Sequence, residues 1–213
     1  MIDKQRAATR TNGRPKRTRA AEQPDAGRRL AVLVGLTLSF FALGDTPRAA
    51  TKEALVPPGI QAALTLRILE YDRALKSWAG PALVVGVVAK GTAAGEGELR
   101  QGLVGRSAQG IPLQVTAHAF RDVEGLKGWI DKSGVRFLYV SADLGADASA
   151  VMSVAAARRL PALASMREQF ENGGALGIVV REGKPHILVN LGAARAAGMD
   201  LDPKLLQLAE VVR

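Results

Sequence analysis

FENGGALGIVVREGKPHILVNLGAARAAGMDLDPKLLQLAEVVR, residues 170–213, carries the clearest run of turn, strand and cap signals in the chain. Leu176 to Val180 and Ile187 to Val189 are short apolar runs on either side of Arg181-Glu182-Gly183-Lys184. A charged turn with a glycine between two such runs predicts an antiparallel hairpin. Asn190 stands where a helix N-cap belongs, its side-chain oxygen able to accept from a backbone N–H of the turn that follows. Leu191 to Ala197 is alanine-rich and stops at Gly198, a residue suited to the left-handed end of a helix. A second helix start follows at once. Asp202 can cap, Pro203 suits the first helical position, and Leu205, Leu208, Ala209 and Val212 recur on one helical face.

Upstream, Pro57-Pro58-Gly59 breaks the chain where the folded body is expected to begin. Ile60, Leu64, Ile68, Tyr71, Leu75 and Trp78 fall at steps of four or three, the pattern of one long amphipathic helix closed by Gly80-Pro81. Its polar island, Tyr71-Asp72-Arg73, reads as a wet face on which Asp72 pairs with Lys76. Leu83 to Ala89 (LVVGVVA) is a continuous β-branched run, as expected of a parallel strand covered on both faces. Further strands are expected over Pro112 to Ala117, Val135 to Val140 and Leu160 to Ser165. Helices are expected over Glu98 to about Gly102, Asp122 to Lys132 and Ala148 to Arg159, with Met166 to Asn172 a polar connector. Strands alternating with helices imply a Rossmann-like α/β layered sheet, mostly parallel, ending in an antiparallel hairpin and terminal helices.

Candidate chemistry is sparse. Lys90 to Gly97 is a glycine-rich loop between strand and helix, a place that can cradle phosphate. However, Gly97-Glu98-Leu99 stands where a phosphate loop needs Gly-Lys-Ser/Thr, and the three-glycine dinucleotide pattern is missing. A plain strand-to-helix turn is the better reading. Ser141 and Asp143 lie at the carboxyl end of a strand, where ligands gather in open α/β sheets, and are the candidate small-molecule lining; the competing role is to cap the next helix, which Asp147 begins. His118 and His186 are the two histidines, read as ordinary surface or edge residues without a second metal ligand at suitable spacing. No Gly-x-Ser-x-Gly or His-Glu-x-x-His motif supports a hydrolase. Neither a catalytic set, a metal nor a cofactor is expected.

The 213 residues suit one domain plus an appendage, and 47% hydrophobic content allows a full core, built mainly of Leu, Val and Ala because aromatics are only 4%. The formal charge of +9 would suit a nucleic-acid binder. Its location argues otherwise: residues 1–29 hold nine Lys/Arg against three Asp/Glu, while 51–213 hold nineteen against sixteen. Residues 1–50 read as a basic leader and signal peptide, and 51–213 as the globular domain. Leu30 to Gly44 is uncharged and shorter than the roughly 20 residues of a membrane helix, yet suits a signal peptide's apolar segment. Arg28-Arg29 flanks it. Cleavage is expected before Asp45, with Ala49-Ala50 a second place; an uncleaved anchor is the alternative. The arginine pair hints at twin-arginine export, but Ala31-Val32 after it favours general secretion. The chain has no cysteine, which removes disulfides and thiol chemistry without arguing against export.

Gly173-Gly174 before a strand, a hairpin strand ending in Asn190-Leu191, the helix carrying Ala193, Ala194, Ala197 and Gly198, and the terminal Leu205-Leu206-x-Leu208-Ala209 together resemble the YfiR/HmsC family. From about Ile60 to Ala164 the likeness is one of element order. The resemblance implies a small periplasmic protein without enzymatic activity that restrains a membrane-bound diguanylate cyclase. It also implies a homodimer, with an outer-membrane lipoprotein able to sequester the repressor. It supplies no contact residues, since Gly173, Gly174, Asn190, Gly198, Leu205 and Leu206 are turn, cap and core positions. The alternative expectation is a periplasmic small-molecule-binding module of a sensor or transport complex, which requires a cavity near Gly91 to Gly97 and Ser141 to Asp143.

Overall fold

The computed structural model describes residues 54–91 and 94–212; the leader, export and cleavage expectations for residues 1–50 lie outside the described residues. In chain order the elements are α1 (Pro58–Glu70), α2 (Leu75–Trp78), β1 (Leu83–Ala89), α3 (Ala94–Leu103), β2 (Ser107–Ala108), β3 (Ile111–Ala119), α4 (Val123–Ser133) and β4 (Phe137–Val140). A 3₁₀ segment (Ala142–Asp147) leads into α5 (Ala148–Ala157), β5 (Ala162–Ala164), α6 (Arg167–Glu171), β6 (Leu176–Arg181), β7 (Lys184–Asn190), α7 (Leu191–Ala196), α8 (Pro203–Leu208) and β8 (Glu210–Val212).

The strands form one sheet in the order β2-β3-β1-β4-β5-β6-β7-β8. From β3 to β6 every pairing is parallel, and β6 and β7 make the antiparallel hairpin. Glu182 and Gly183 turn it, both at positive φ, the conformation a two-residue hairpin turn demands. The first crossover, through α3, leads from β1 to β3 on one side of it, and later crossovers proceed through β4, β5 and β6 on the other. The direction in which successive strands are added therefore reverses at the β1/β4 boundary, which makes that boundary the topological switch point of a doubly wound sheet.

Strand alternation divides the apolar residues between two faces. Phe137 and Tyr139 pack with Ile68, Leu69, Leu99, Leu103 and Leu205, whereas Leu138 and Val140 pack with Leu126, Ile130, Val151 and Met152. Helices α1, α3 and α8 thus cover one face and α4 and α5 the other, which is why β1 reads as an unbroken apolar run. The caps follow sequence logic. The carboxylate of Asp122 accepts from Gly125 N–H, Asn190 Oδ1 from Ala193 N–H, and Asp202 from Lys204 N–H.

Several expectations fail for physical reasons. The helix expected to run to Trp78 breaks after Glu70, and Asp72, expected on the wet face, is fully buried. Its carboxylate accepts from the N–H groups of Ala74 (3.0 Å) and Asp200 (2.8 Å) and from Trp78 Nε1 (2.9 Å). Ile60, placed on the buried stripe, is exposed, and the inner face is instead Gln61, Ala62, Thr65, Ile68 and Leu69. The connector from Met166 contains α6. The last helix ends at Leu208, because Glu210 to Val212 leaves helical geometry to pair parallel with Leu188 to Asn190. Leu208, assigned to the helix's core face, is 67% exposed. His118 lies inside β3 rather than beyond a strand.

Candidate functional site

The carboxyl ends of β4 and β5 carry a cavity of about 260 Å³. Four elements contribute to it. Tyr139 points from β4, and Ser141, Ala142 and Asp143 continue from its end; Ser165 follows β5; Gln61 reaches in from α1; Leu55, Val56, Pro57 and Pro58 close it from the segment entering α1. The position is the one that parallel α/β geometry prescribes, beside the switch point and outside the strand ends.

A buried polar scaffold holds this end of the sheet. Gln169 of α6 is 2% exposed. Its amide Nε2 donates to Ser141 O at 2.8 Å, while its Oε1 accepts from Ser165 N–H at 3.2 Å. The Ser165 hydroxyl donates to Val140 O at 2.9 Å. One side chain thus ties the outgoing ends of β4 and β5 together, satisfying groups whose burial unpaired would cost about 1–3 kcal/mol each. On the other wall the Tyr139 hydroxyl donates to Gln61 Oε1, joining strand to helix.

Both candidate ligand residues, Ser141 and Asp143, line the cavity. Asp143 does not cap the next helix. Its Oδ2 accepts from the backbone N–H groups of Lys90 (3.1 Å) and Gly91 (3.3 Å) at the end of β1, so the chain's own carboxylate engages two amides at the start of the glycine-rich loop. Of the glycine-rich loop, Gly91 and Gly97 are the residues with described surroundings, and neither is among the described residues lining the cavity. Asp147 does not cap α5 with its side chain and pairs with Lys90 Nζ at 2.8 Å instead. Sequence reading missed Gln61, Ser165, Gln169 and Leu55. The spacing of Gln61 and Thr65, four residues apart on the inner face of α1, was the available signal for the first.

The structural residues of the C-terminal block fall apart from this cavity. Gly173, at φ +106, and Gly174 end α6; a Cβ on Gly174 would come within 3.1 Å of Phe170 Cα. Asn190 caps α7, Gly198 (φ +86) ends it, Leu205 is buried and Leu206 packs partly buried against the same core. His118 stacks on Trp129 with centroids 4.8 Å apart, and its buried Nε2 has no hydrogen-bond partner. Burial pushes this imidazole below its usual range against the opposing pull of Asp122. At the far sheet edge, Arg167 hydrogen-bonds both oxygens of Glu210 at 3.1 Å and holds its carboxyl below the usual range, with Arg181 adding to the effect. Among the described residues no cluster of His, Asp and Glu could hold a metal ion, and no helix is long and apolar enough to cross a membrane.

This arrangement defines a doubly wound α/β domain with a modest cavity at its strand ends. The YfiR/HmsC-like family profile matches residues 59–210, from α1 to β8. The chain belongs to that family, whose members are periplasmic regulators. No curated protein matches it by sequence. Among solved structures it is similar to a conserved domain protein from Vibrio cholerae, at TM-score 0.53 and 15% identity, covering 74% of this chain and 60% of that one. It is also similar to an ABC domain in complex with L-Trp from Streptococcus pneumonia, at TM-score 0.51 and 13% identity, covering 73% and 62%. The chain therefore spans about three fifths of the length of either structure. Identities this low establish a shared fold alone.

Proposed function

We propose that this chain is an exported, non-enzymatic regulator that binds the periplasmic part of a membrane diguanylate cyclase and represses it, lowering cyclic-di-GMP. The observation that carries this reading is the family match along the whole described domain. Repression of this kind is a matter of differential affinity. The protein must bind the cyclase's inactive arrangement more tightly than its active one, each tenfold of preference supplying about 1.4 kcal/mol. A homodimer suits a dimeric target, since an isologous assembly offers the same surface twice. An outer-membrane lipoprotein competing for the repressor would restore cyclase activity. The test is capture from membranes: the tagged full chain is expected to retain a diguanylate cyclase, and recovery of none contradicts the proposal.

The cavity lined by Ser141 and Asp143 favours a second reading, in which the domain senses a small molecule. The two are compatible, because a ligand that prefers one state of a regulator shifts its partner's affinity by the same coupling.

A further inference from the structure

We infer that the cavity at the carboxyl ends of β4 and β5 binds a compact amphipathic amine, its ammonium group held by Asp143 and its apolar body lying against Leu55, Val56 and Pro57. This inference rests on the small-molecule reading and is independent of the repressor reading.

Size comes first. At about 260 Å³ the cavity lies just below the roughly 300–1,000 Å³ of sites for drug-sized ligands, so its ligand is small. The sign of the charge comes next. Among the described residues of the lining, the ionisable group of fixed charge is the carboxylate of Asp143, and none is Lys, Arg or His. Lys90, at the end of the neighbouring β1, is engaged by Asp147 at 2.8 Å. A carboxylate or phosphate ligand would be desolvated beside a like charge, which is costly, whereas an ammonium gains a charge-assisted bond.

Hydrogen-bonding capacity points the same way. The hydroxyls of Ser165 and Tyr139 already donate within the protein, to Val140 O and Gln61 Oε1. An ammonium brings three donors to the Asp143 carboxylate. Asp143 is also preorganised. Its Oδ2 is fixed by the Lys90 and Gly91 amides, while Oδ1 has no hydrogen-bond partner among the described residues. Leu55 and two prolines supply the apolar part of the lining, and Leu55 is 53% exposed.

The test is isothermal titration of the full chain with benzylamine, benzyl alcohol and benzoate, which share a ring and differ in head group. Benzylamine is expected to bind saturably at millimolar concentration or below, with the alcohol and the acid at least about tenfold weaker, equivalent to 1.4 kcal/mol. Asp143→Asn keeps the side chain's shape and an acceptor for the Lys90 amide, and is expected to erase the preference for the amine. Leu55→Ser, at an exposed position outside the core, is expected to weaken binding with Asp143 intact. The inference is overturned if benzylamine shows no saturable binding, if benzoate binds as well as benzylamine, or if both variants bind benzylamine as the natural chain does. Cyclase output is not the readout, so failure here leaves the repressor proposal standing, and failure of the repressor proposal leaves this one standing.

Discussion

The backbone N–H of Asp200 donates to the carboxylate of Asp72 at 2.8 Å, across 128 residues of chain. The same carboxylate receives Ala74 N–H and the Trp78 indole, and the neighbouring backbone completes the seam. Arg73 N–H donates to Asp200 O, and Asp202 N–H to Tyr71 O, both at 2.8 Å. A single buried carboxylate thus breaks the first helix, orients the second and fastens both to the loop between α7 and α8. Asp72→Ala strands three donors in the interior and is expected to cost about 3 kcal/mol, read as a lowered urea midpoint. Trp78→Phe removes only the indole bond and should cost about 1 kcal/mol. Equal stability of Asp72→Ala and the natural chain would contradict this account.

Gly86 in β1 makes room for Trp129 of α4 and for Val135. A Cβ there would meet Trp129 Cη2 at 2.6 Å and both Val135 methyls at 2.9 Å. Gly86→Ala is expected to destabilise the domain by about 1–3 kcal/mol through overpacking, seen as a lower Tm in thermal unfolding.

The same Trp129 stacks on His118. Because burial lowers the folded-state pKa of His118 from 6.5, the unfolded chain takes up its proton first as the solution is acidified. This contribution to stability is complete above pH 6.5 and is lost as pH falls below that value through the folded-state pKa. His118→Phe keeps a ring against Trp129, and denaturation measured across this window is expected to show a shallower pH slope than in the natural chain.

Glu210, unlike an exposed, unpaired acid, ties its ionisation to folding. Arg167 and Arg181 lower its folded-state pKa from 4.5, so its stabilisation is complete above the ordinary carboxylate range and is lost as pH falls through the lowered value. The group is partly solvated, and the effect is expected to be about 1 kcal/mol or less. Glu210→Gln should remove it and loosen β8, measurable as faster hydrogen exchange at Val211 and Val212.

Local pattern carried the reading wherever local physics decides the structure. The unbroken apolar run of β1 implied two covered faces, and Asn190, Gly198, Asp202 and Pro203 marked helix ends by chemistry that acts within four residues. The errors lie where distant residues decide. Periodicity carried the first helix through Tyr71 because nothing near Asp72 reveals that Asp200 will donate to it. The terminal helix was drawn through Val212 because the pairing of Val211 with Val189 is invisible in the stretch itself. The site divided in the same way. Ser141 and Asp143 were accessible through the rule that ligands gather at strand ends, whereas Gln61, Leu55 and Gln169 reach that place from elements far along the chain.

The proposed restraint of a membrane cyclase by this domain is read from cyclic-di-GMP itself. The full chain, with its own N-terminus, is co-expressed with each membrane diguanylate cyclase of its genome, and the nucleotide is quantified with and without the chain. The account predicts a severalfold fall with at least one cyclase, absent when that cyclase lacks its periplasmic part. Unchanged cyclic-di-GMP with every cyclase, while the folded chain is recovered from the periplasm, would contradict it.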